Sequence, residues 1–482
     1  MTAQPVVAIV GAGFSGSLLA LHLLSAGPAA PKVLLVERAR GFGKGVAYAT
    51  GHAAHLLNVR AANMSAFPDQ PNHFLDWLRE QPDGAVSGPV GPGSFVPRQT
   101  YGAYLQDTLS RAVRAPGAVG RLVLVPDDAV TLCRTGKGLE LTVAMGRTYP
   151  VDACVLAVGN FPPELPGGAD PAIHASPRYH GDPWAPGTLD SVGTLDRVLL
   201  VGTGLTMVDM VLALRARGHH GRITALSRRG LVPRRHAPAF PHVMPLPPSL
   251  PGSLSQALRA VRARVDAEGA EGRSWHAVVD SLRPLTRAYW QDLPPQAKAR
   301  FLRHLRPWWD VHRHRLAPEV AETVEELRAT GRLKVVAGRL RGLEDTGDGI
   351  RVRWSPRGGG EEEAAVDHVI NCAGPSCDVT RIRDPLVQSL LRDGLGRPDP
   401  YHLGLDVTPS GQLLRRDGGT TAGLYAIGPV TRGAFWEMTA VPDIRVQAQT
   451  LARTLSGVLR RHADDGPRPG EGLREAAAPP PG

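Results

Sequence analysis

The sequence has few of the residues that build disulfide scaffolds and metal centres. Its four cysteines, Cys133, Cys154, Cys372 and Cys377, are scattered along 482 residues, and none forms a Cys-x-x-Cys pair. Structural disulfides, zinc sites and dithiol redox centres commonly use such closely spaced pairs. We therefore expect no disulfide, no dithiol centre and no metal site.

A long apolar run is also absent. A helix that crosses a bilayer needs about 20 consecutive apolar residues, and no segment approaches that length. Residues 1–5 lead directly into an apolar stretch without the charged region of a signal peptide. These features predict a cytoplasmic globular protein, and a hydrophobic content of 42% is sufficient for two or three domains.

Lysine is scarce, so the net charge of +10 comes mostly from arginine. The arginines are spread along the chain without a nucleic-acid-binding motif, which predicts that nucleic acid is not a partner. Residues 464–482 contain many Pro and Gly and almost no large apolar residues. This composition cannot offset the entropy lost on ordering, and it predicts a disordered tail.

Two segments have the pattern of a strand, a glycine turn and a helix. They are VVAIVGAGFSGSLLALHLLSAG at 6–27 and RVLLVGTGLTMVDMVLALRARG at 197–218. In each segment an apolar run leads into Gly-x-Gly and continues as an apolar helical pattern, as in a parallel strand that enters a nucleotide-binding turn. The sequence therefore predicts an α/β protein with two dinucleotide sites.

The first turn contains the complete Gly-x-Gly-x-x-Gly motif, with Gly11, Gly13 and Gly16. The first glycine permits the tight turn, the second lets the backbone approach a pyrophosphate, and the third lets the helix pack on the strand. The next strand, KVLLVE, ends in Glu37, whose carboxylate can accept hydrogen bonds from ribose hydroxyls. The alternative is a chance glycine turn beside a surface Glu.

In the second turn Gly202 and Gly204 are followed by Met207 in place of the third glycine. The next strand, ITAL, is followed by a hydroxyl and two guanidinium groups instead of an acid: Ser227, Arg228 and Arg229. These groups suit the 2′-phosphate of NADPH, which a carboxylate would repel. We favour an NADPH site; NADH as the cofactor, with ordinary loop arginines, is the alternative.

Several segments resemble a bacterial group of FAD/NAD(P)-binding flavoprotein monooxygenases. The group includes FAD-dependent urate hydroxylase and L-aspartate N-monooxygenase and, more distantly, the ornithine and lysine N-hydroxylases. The resemblance covers roughly residues 6–455, and it implies that FAD binds the first turn, with Asn58, Met64 and Arg98 on the flavin side. Pairing of Arg98 with a nearby carboxylate, and a turn closed by Asn58, are the plainer alternatives. The matching segments are GVAYATGHAAHLLNVRAANMSAFPDQPNHFLDWL (45–78), FVPRQTYGAYL (95–105), YHGDPW (179–184) and FLRHLRPWWDVHRHRLAP (301–318).

A late segment, GLYAIGP at 423–429, is similar to the strand of glutathione-reductase-like flavoproteins that carries the ribityl chain of the flavin. The turn after that strand usually ends in Asp, whereas Pro429 occupies this place here, so the ribityl contact must differ. The resemblance implies FAD contacts from Gly428 and from Ile444 on the helix that follows. Three further residues are assigned to FAD by their place at the first turn and after Glu37: Phe14, Ser15 and Arg38.

These features together predict a two-dinucleotide-binding, Rossmann-like flavoprotein fold with a helical insertion. The two glycine turns belong to different domains, and the FAD-binding domain returns after the NAD(P)H-binding domain. The predicted division is 1–165 (FAD-binding domain, first part), 196–375 (NAD(P)H-binding domain, with the insertion at about 245–330), 376–463 (FAD-binding domain, second part) and 464–482 (disordered tail).

The insertion contains an arginine-rich segment at 301–315. Helical spacing predicts that Arg306 and Arg313 pair with Asp310 on a solvated face. Because four arginines exceed what one Asp can neutralise, binding of a carboxylate-bearing small molecule is the competing interpretation. Arg313 and, on the helix expected to face the flavin, Arg445 are the predicted substrate anchors. The opposite, apolar stripe is predicted to pack in the core: Phe301, Leu302, Leu305, Trp308, Trp309 and His312.

The resemblance implies a monooxygenase in which NAD(P)H reduces FAD, O2 adds to the reduced flavin, and the resulting hydroperoxyflavin hydroxylates a small, nitrogen-containing, anionic metabolite. A flavin oxidoreductase that inserts no oxygen is the second hypothesis. A non-catalytic FAD/NAD(P)-binding protein is the third. Hydroxylated product separates the first hypothesis from the second, and NAD(P)H oxidation separates both from the third.

Overall fold

The strands are defined in a computed structural model, which describes residues 4–27, 30–39, 41–82, 90–115, 119–136, 138–238, 250 and 252–464. In chain order they are β1 (Val6–Val10), β2 (Lys32–Val36), β3 (Leu122–Val125), β4 (Ala129–Thr135), β5 (Gly138–Val143), β6 (Thr148–Val151), β7 (Ala153–Leu156), β8 (Tyr179–His180), β9 (Val198–Val201), β10 (Ile223–Ser227), β11 (Leu333–Asp345), β12 (Ile350–Pro356), β13 (Glu362–Val366), β14 (His368–Asn371), β15 (Gln412–Leu414) and β16 (Thr420–Ala426).

The α-helices of the same residues cluster between β10 and β11, where α6–α11 follow one another. They are α1 (Phe14–Leu24), α2 (Gly45–Tyr48), α3 (His73–Arg79), α4 (Arg98–Arg114), α5 (Leu205–Ala216), α6 (Leu254–Ala270), α7 (Trp275–Ser281), α8 (Arg283–Asp292), α9 (Pro295–Arg300), α10 (Arg306–Arg313), α11 (Pro318–Ala329), α12 (Pro385–Arg392), α13 (Arg432–Phe435) and α14 (Val441–Asp464). None is long and apolar enough to span a bilayer, within the part of the chain that the structure describes.

The first sheet has the strand order β15-β16-β7-β1-β2-β3 and is parallel except at β15. Its central strand is apolar on both faces because both faces are covered. Val7 and Ile9 pack in the cluster that contains α1, α4 and α14. Ala8 and Val10 pack against the antiparallel sheet β4-β5-β6 and α12. The sheet therefore joins strands from the beginning and the end of the chain.

The second sheet has the order β13-β12-β11-β10-β9-β14-β8. Its central strand β9 lies between β10 and β14, and all three are parallel. The first sheet has the same arrangement, in which β1 lies between β2 and β7. The two sheets confirm the predicted mixed α/β class with two Rossmann-like units, in which each glycine turn follows a central strand.

The predicted helical insertion corresponds to α6–α11, within the residues that the structure describes. Its first residues as predicted, 245–249, lie outside the described residues, as do residues 465–482 of the predicted tail. A π-helical turn, Phe301–Leu305, precedes α10. The insertion packs on the rest of the molecule through an aromatic cluster of Trp290, Trp309 and Trp436.

Candidate active site

The backbone of the first glycine turn has a conformation and close contacts that only glycine accommodates without strain. Gly11 has φ +99°, and a Cβ atom there would lie 2.3 Å from the carbonyl oxygen of Ala157, which follows β7. At Gly16 a Cβ atom would lie 1.9 Å from the carbonyl oxygen of Gly11. Both positions therefore exclude larger residues, as the Gly-x-Gly-x-x-Gly pattern predicts.

The N-terminus of α1 is suited to bind phosphate. The N-cap residue, Gly13, supplies no side-chain hydrogen bond to the first N–H groups of the helix, so these donors can point at an anion. Glu37 lies beside them: its Oε2 accepts from Ala12 N at 2.8 Å and its Oε1 accepts from Ala39 N at 3.1 Å. A phosphate site and a ribose-binding carboxylate are thus adjacent, which fits the pyrophosphate and adenosine ribose of FAD.

The remaining residues assigned to FAD lie around this turn. Ser15 is buried, and its Oγ would be only 2.4 Å from a Cβ atom at Gly428, so the first turn and the turn after β16 are in contact. Phe14 is buried in the core that α4 and α14 share. Arg38 points elsewhere, because it forms ion pairs with Asp128 and Asp384.

The first glycine of the second turn is confined in the same way as Gly11 in the first turn. Gly202 has φ +116°, and a Cβ atom there would lie 2.2 Å from the carbonyl oxygen of Cys372, which follows β14. Gly204 is the N-cap of α5, again without a side-chain hydrogen bond to the helix. Met207 is fully buried in the core beneath this helix. The second turn therefore also offers free N–H donors to a phosphate.

The residues after β10 lie next to the second turn. The Ser227 hydroxyl is 2.8 Å from Thr203 Oγ1 and accepts from Gly230 N at 3.0 Å, which fixes the loop. Arg228 is exposed. Arg229 Nη2 donates to the carbonyl oxygen of Arg303, in the π-helical turn, at 3.3 Å. The two arginines thus remain available at the surface beside the second turn.

The predicted flavin-side residues meet in a cavity of about 460 Å³ between the segment 47–64, the helical insertion and the loop before α14. The first-sheet side supplies Asn58, Met64 and Arg98, and the loop before α14 supplies Thr439 and Ala440. Charged and imidazole side chains make up much of the remaining wall: Arg60, His236, Asp280, Arg283, Arg313, His314 and Arg315. Among the described lining residues, five arginines therefore face one carboxylate.

A buried ion pair in the cavity wall joins the two halves of the molecule. Arg98, the first residue of α4, donates from Nη1 to Asp209 Oδ2 on α5 at 2.8 Å, and from Nε to the Leu56 carbonyl oxygen at 3.1 Å. The side chains are only 15% and 7% exposed. His55 Nε2 is 2.9 Å from the carbonyl oxygen of Asp209. Arg98 therefore has the carboxylate partner that was its alternative role, and it also lines the cavity.

The predicted substrate anchors have different surroundings. Arg313 lines the cavity, but its Nε donates to Glu437 Oε2 at 3.2 Å. The other oxygen of Glu437 accepts from Trp309 Nε1 at 2.7 Å. Arg445 is not among the lining residues, and its Nη1 donates to the carbonyl oxygen of Ser65 at 3.0 Å. Its neighbour Ile444 is buried in the core.

The side-chain stripes predicted for the insertion are partly wrong. Asp310 pairs with Arg306 at 3.5 Å as predicted, but Arg313 pairs with Glu437 instead. Trp308, predicted to be in the core, is 40% exposed. The π-helical turn before α10 has a wider repeat than an α-helix, so it rotates the later residues away from the predicted faces.

Two histidines in the cavity wall are held in the neutral form. Burial, together with the charge of Arg315, lowers the pKa of His236 to about 4. Burial also lowers the pKa of His314 to about 4. His236 Nε2 is 3.0 Å from the Asn58 carbonyl oxygen, so the ring donates from Nε2 when it is neutral. The positive charge of the cavity at neutral pH therefore comes from arginine.

Several residues of this cavity were not identified from the sequence: Arg60, His236, Asp280, Arg283 and Arg315. Arg315 lies in the arginine-rich segment that suggested Arg313, so the composition of that segment was a usable signal. Asp280 lies in α7 and Arg283 is the first residue of α8, and no sequence motif identifies either residue. Their role in the wall depends on how the insertion folds onto the flavin side.

Comparison with known proteins agrees with this geometry. Residues 8–161, which contain the first glycine turn, match the model of an FAD-NAD(P)-binding family. A curated relative is the nitrosuccinate-forming L-aspartate N-monooxygenase of Streptomyces cremeus, which is 32% identical over 278 residues, or 48% of this chain and 41% of the relative. The chain thus spans less than half the length of that relative. The match confirms the predicted cofactor class and the resemblance to this flavoprotein group.

Solved structures of similar fold include two amino-acid hydroxylases. The ornithine N-hydroxylase of Kutzneria sp. 744 superposes with a TM-score of 0.61 at 16% identity, covering 95% of this chain and all of that one. The L-lysine 6-monooxygenase of Pseudomonas syringae superposes with a TM-score of 0.63 at 15% identity and the same coverage. At these identities the likeness establishes the fold, a two-dinucleotide-binding flavoprotein fold.

Proposed function

We propose that this protein is an FAD-dependent, NAD(P)H-consuming N-monooxygenase of a small amine that carries a carboxylate. The observation that carries the proposal is the cavity between the flavin-side segment 47–64 and the helical insertion. Asn58, Met64 and Arg98 line one side of it, and arginines of the insertion line the other. The similarity to L-aspartate N-monooxygenase over 48% of this chain supports the same reaction class.

The two turns have separate cofactors in this proposal. The FAD-binding domain comprises 1–165 and 376–463, and it holds FAD at Gly11, Gly13 and Glu37. The NAD(P)H-binding domain, 196–375, holds NADPH at the second turn, where Arg228 and Arg229 bind the 2′-phosphate. FAD that has been reduced by NADPH supplies the chemistry, which is activation of O2 and transfer of one oxygen atom to the substrate.

The chain's own side chains bind and orient the reactants. The arginines of the wall attract and hold the substrate carboxylate, so that the amine is directed toward the flavin side. His236 and His314 stay neutral at pH 7 and add no further charge. The Arg98–Asp209 pair fixes the distance between the two domains at the cavity. The insertion supplies one wall of the cavity and reduces the access of water to it.

The charge of the wall selects among amines. L-Aspartate has two carboxylates and one amine, L-lysine has one carboxylate and two amines, and cadaverine is lysine without its carboxylate. Five arginines line the cavity, and among the described residues four carboxylates pair with them, Asp280 in the wall and Asp209, Asp443 and Glu437 behind it. The remaining positive charge favours the first compound and disfavours the last. We therefore infer that the substrate has at least as many carboxylates as amines.

The test is NADPH oxidation by the FAD-loaded protein in air with each of these three compounds, together with mass spectrometry of the products. The proposal predicts acceleration and an N-oxygenated product with L-aspartate or a related anionic amine, and no acceleration with cadaverine. NADPH oxidation that yields only hydrogen peroxide with every amine supports the oxidoreductase without oxygen insertion. No NADPH oxidation at all supports a non-catalytic binding protein.

A further inference from the structure

Arg315 is the most deeply buried charged residue of the cavity wall. Its side chain is 1% exposed, and it follows directly after the end of α10 and its C-cap. The next residue, Leu316, is fixed by a bridge to the segment 234–236, in which Leu316 N donates to the carbonyl oxygen of Arg234 at 2.8 Å. The guanidinium lies 5.6 Å from the ring centre of Trp275. The side chain is thus held rigidly in place.

The hydrogen bonds of this guanidinium are incomplete. Its Nη2 donates to Asp280 Oδ1. Its Nε and Nη1 are buried and have no hydrogen-bond partner. A guanidinium has five N–H donors, and buried donors of a charged group are seldom left unpaired because their loss of water is not compensated. Buried donors without a partner, at the wall of a cavity, point to an anionic ligand.

The neighbouring arginines of the wall are better satisfied by the protein itself. Arg98 pairs with Asp209, and Arg283 pairs with Asp443 at 2.6 Å. Arg313 pairs with Glu437, which is 6% exposed. The partner of Arg315 differs, because the Asp280 side chain is 40% exposed and itself lines the cavity. Both members of this ion pair therefore line the cavity, and Asp280 is the exposed one.

We propose that Arg315 is the carboxylate-binding residue of the substrate site and that Asp280 positions it. The ligand class is a small carboxylate, held by the N–H groups of Arg315 that the protein leaves unpaired. Asp280 keeps the guanidinium oriented through Nη2 and competes with the ligand for the same positive charge. The proposal rests on the proposed function for the identity of the cavity as the substrate site, and its anion-binding part can be tested without turnover.

The experiment uses succinate, a dicarboxylate that has no amine to be oxidised, and calorimetric titration of the FAD-loaded protein in buffer without other carboxylates or phosphate. Wild type is expected to bind succinate saturably. Arg315→Gln is expected to weaken binding at least tenfold, because the charged donors are lost. Arg351→Gln removes an arginine from a surface pair with Glu344 that is not part of the cavity, and it is expected to bind like wild type.

Asp280→Asn should change the affinity in the opposite direction. It removes the competing negative charge, while the amide oxygen of Asn can still accept from Arg315 Nη2 and keep the guanidinium oriented. Succinate is therefore expected to bind more tightly than to wild type. If Arg315→Gln does not fold, as judged by circular dichroism and FAD content, Arg315→Lys and Asp280→Asn still test the proposal. Lysine keeps the charge but has fewer donors, so intermediate affinity is expected.

Unchanged succinate affinity in Arg315→Gln or Arg315→Lys, weaker binding in Asp280→Asn, or no saturable binding to wild type would overturn the proposal. Failure of the proposed function has a separate signature. If wild type binds succinate through Arg315 but forms no N-oxygenated product from any amine, the anion site stands and the reaction class is wrong. If an amine is N-oxygenated equally well by wild type and Arg315→Gln, the reaction class stands and Arg315 is not the anchor.

Discussion

The two glycine turns share the conformation of their first glycine but differ in what surrounds their second glycine. In both, the first glycine has a positive φ and lies under the carbonyl oxygen of a crossing segment, Ala157 for Gly11 and Cys372 for Gly202. The second glycine differs. A Cβ atom at Gly13 would be 3.4 Å from Gly45 Cα, whereas none of the described residues comes within 4 Å of one at Gly204.

This difference indicates how each cofactor is held. The first turn is covered by the segment that contains α2, with Gly45 in direct contact with it, so a dinucleotide there is enclosed by protein. None of the described residues covers Gly204, so within them the second turn is open to a dinucleotide. An enclosed site suits FAD, which stays bound through many turnovers, and an open site suits NADPH, which must exchange in each one.

The largest expected effect is at the enclosed turn. Gly13→Val places two methyl groups against Gly45 and the pyrophosphate position, and we expect loss of bound FAD. Gly204→Val is the matched change at the open turn, and we expect it to keep its FAD but to lose NADPH binding. Flavin absorbance per protein and NADPH titration measure the two effects. Retained FAD in a folded Gly13→Val protein would contradict the assignment of FAD to this turn.

The junction between the two units should show the next largest effect. Asp209→Asn leaves Arg98 buried without its counter-charge, and we expect the free energy of unfolding to fall by about 3 kcal/mol. Chemical denaturation followed by circular dichroism measures this change. The double variant with Arg98→Met is the control, because the loss should be less than the sum of the two single losses. Additive losses would show that the pair does not couple the domains.

A smaller effect is expected at the loop after β10, where Arg228 and Arg229 are proposed to bind the 2′-phosphate of NADPH. Replacing Arg228 and Arg229 together by Ala should raise the KM for NADPH at least tenfold, equivalent to about 1.4 kcal/mol, and leave the KM for NADH nearly unchanged. Steady-state kinetics with both cofactors measures the ratio. Equal losses with the two cofactors, or none, would mean that this loop does not recognise the 2′-phosphate.

The smallest expected effect is on the pH dependence of stability, at His236 in the cavity wall. The folded-state pKa of His236, about 4, is below that of an unfolded histidine, so its stabilising contribution is complete above pH 6.5 and is lost as the pH falls toward 4. Burial and the neighbouring Arg315 and Arg60 cause this shift, and Asp280 opposes it. His236→Gln should therefore flatten the acid loss of unfolding free energy by about 1 kcal/mol. Parallel pH profiles for both proteins would contradict the neutral buried imidazole.

Local sequence signals were sufficient to predict both glycine turns and the carboxylate beside the first one. Gly11, Gly202 and Glu37 are recognisable because a strand, a glycine pair and the end of the next strand are close in sequence. The antiparallel sheet β4-β5-β6 was not predicted, because residues 1–165 were assigned to the FAD-binding domain without a separate sheet. The helix that carries Ile444 begins only at Val441, because Trp436 and Glu437 have positive φ and interrupt the helical backbone after α13.

The cavity wall could be predicted only in part. Resemblance identified Asn58, Met64 and Arg98, which the structure brings together. Asp280 and Arg315 are 35 residues apart in sequence and meet only through the fold of the insertion. No periodic pattern reveals such a contact, and the π-helical turn at 301–305 moved the side chains that the helical repeat had assigned.

We propose that the enclosed and open turns serve a reaction that places oxygen on a carboxylate-bearing amine. The most direct measurement is mass spectrometry of the product formed under ¹⁸O₂ from the amine that most accelerates NADPH oxidation. We expect a product that carries ¹⁸O on nitrogen. NADPH consumed with all of its electrons recovered as hydrogen peroxide, and no labelled product, would contradict it.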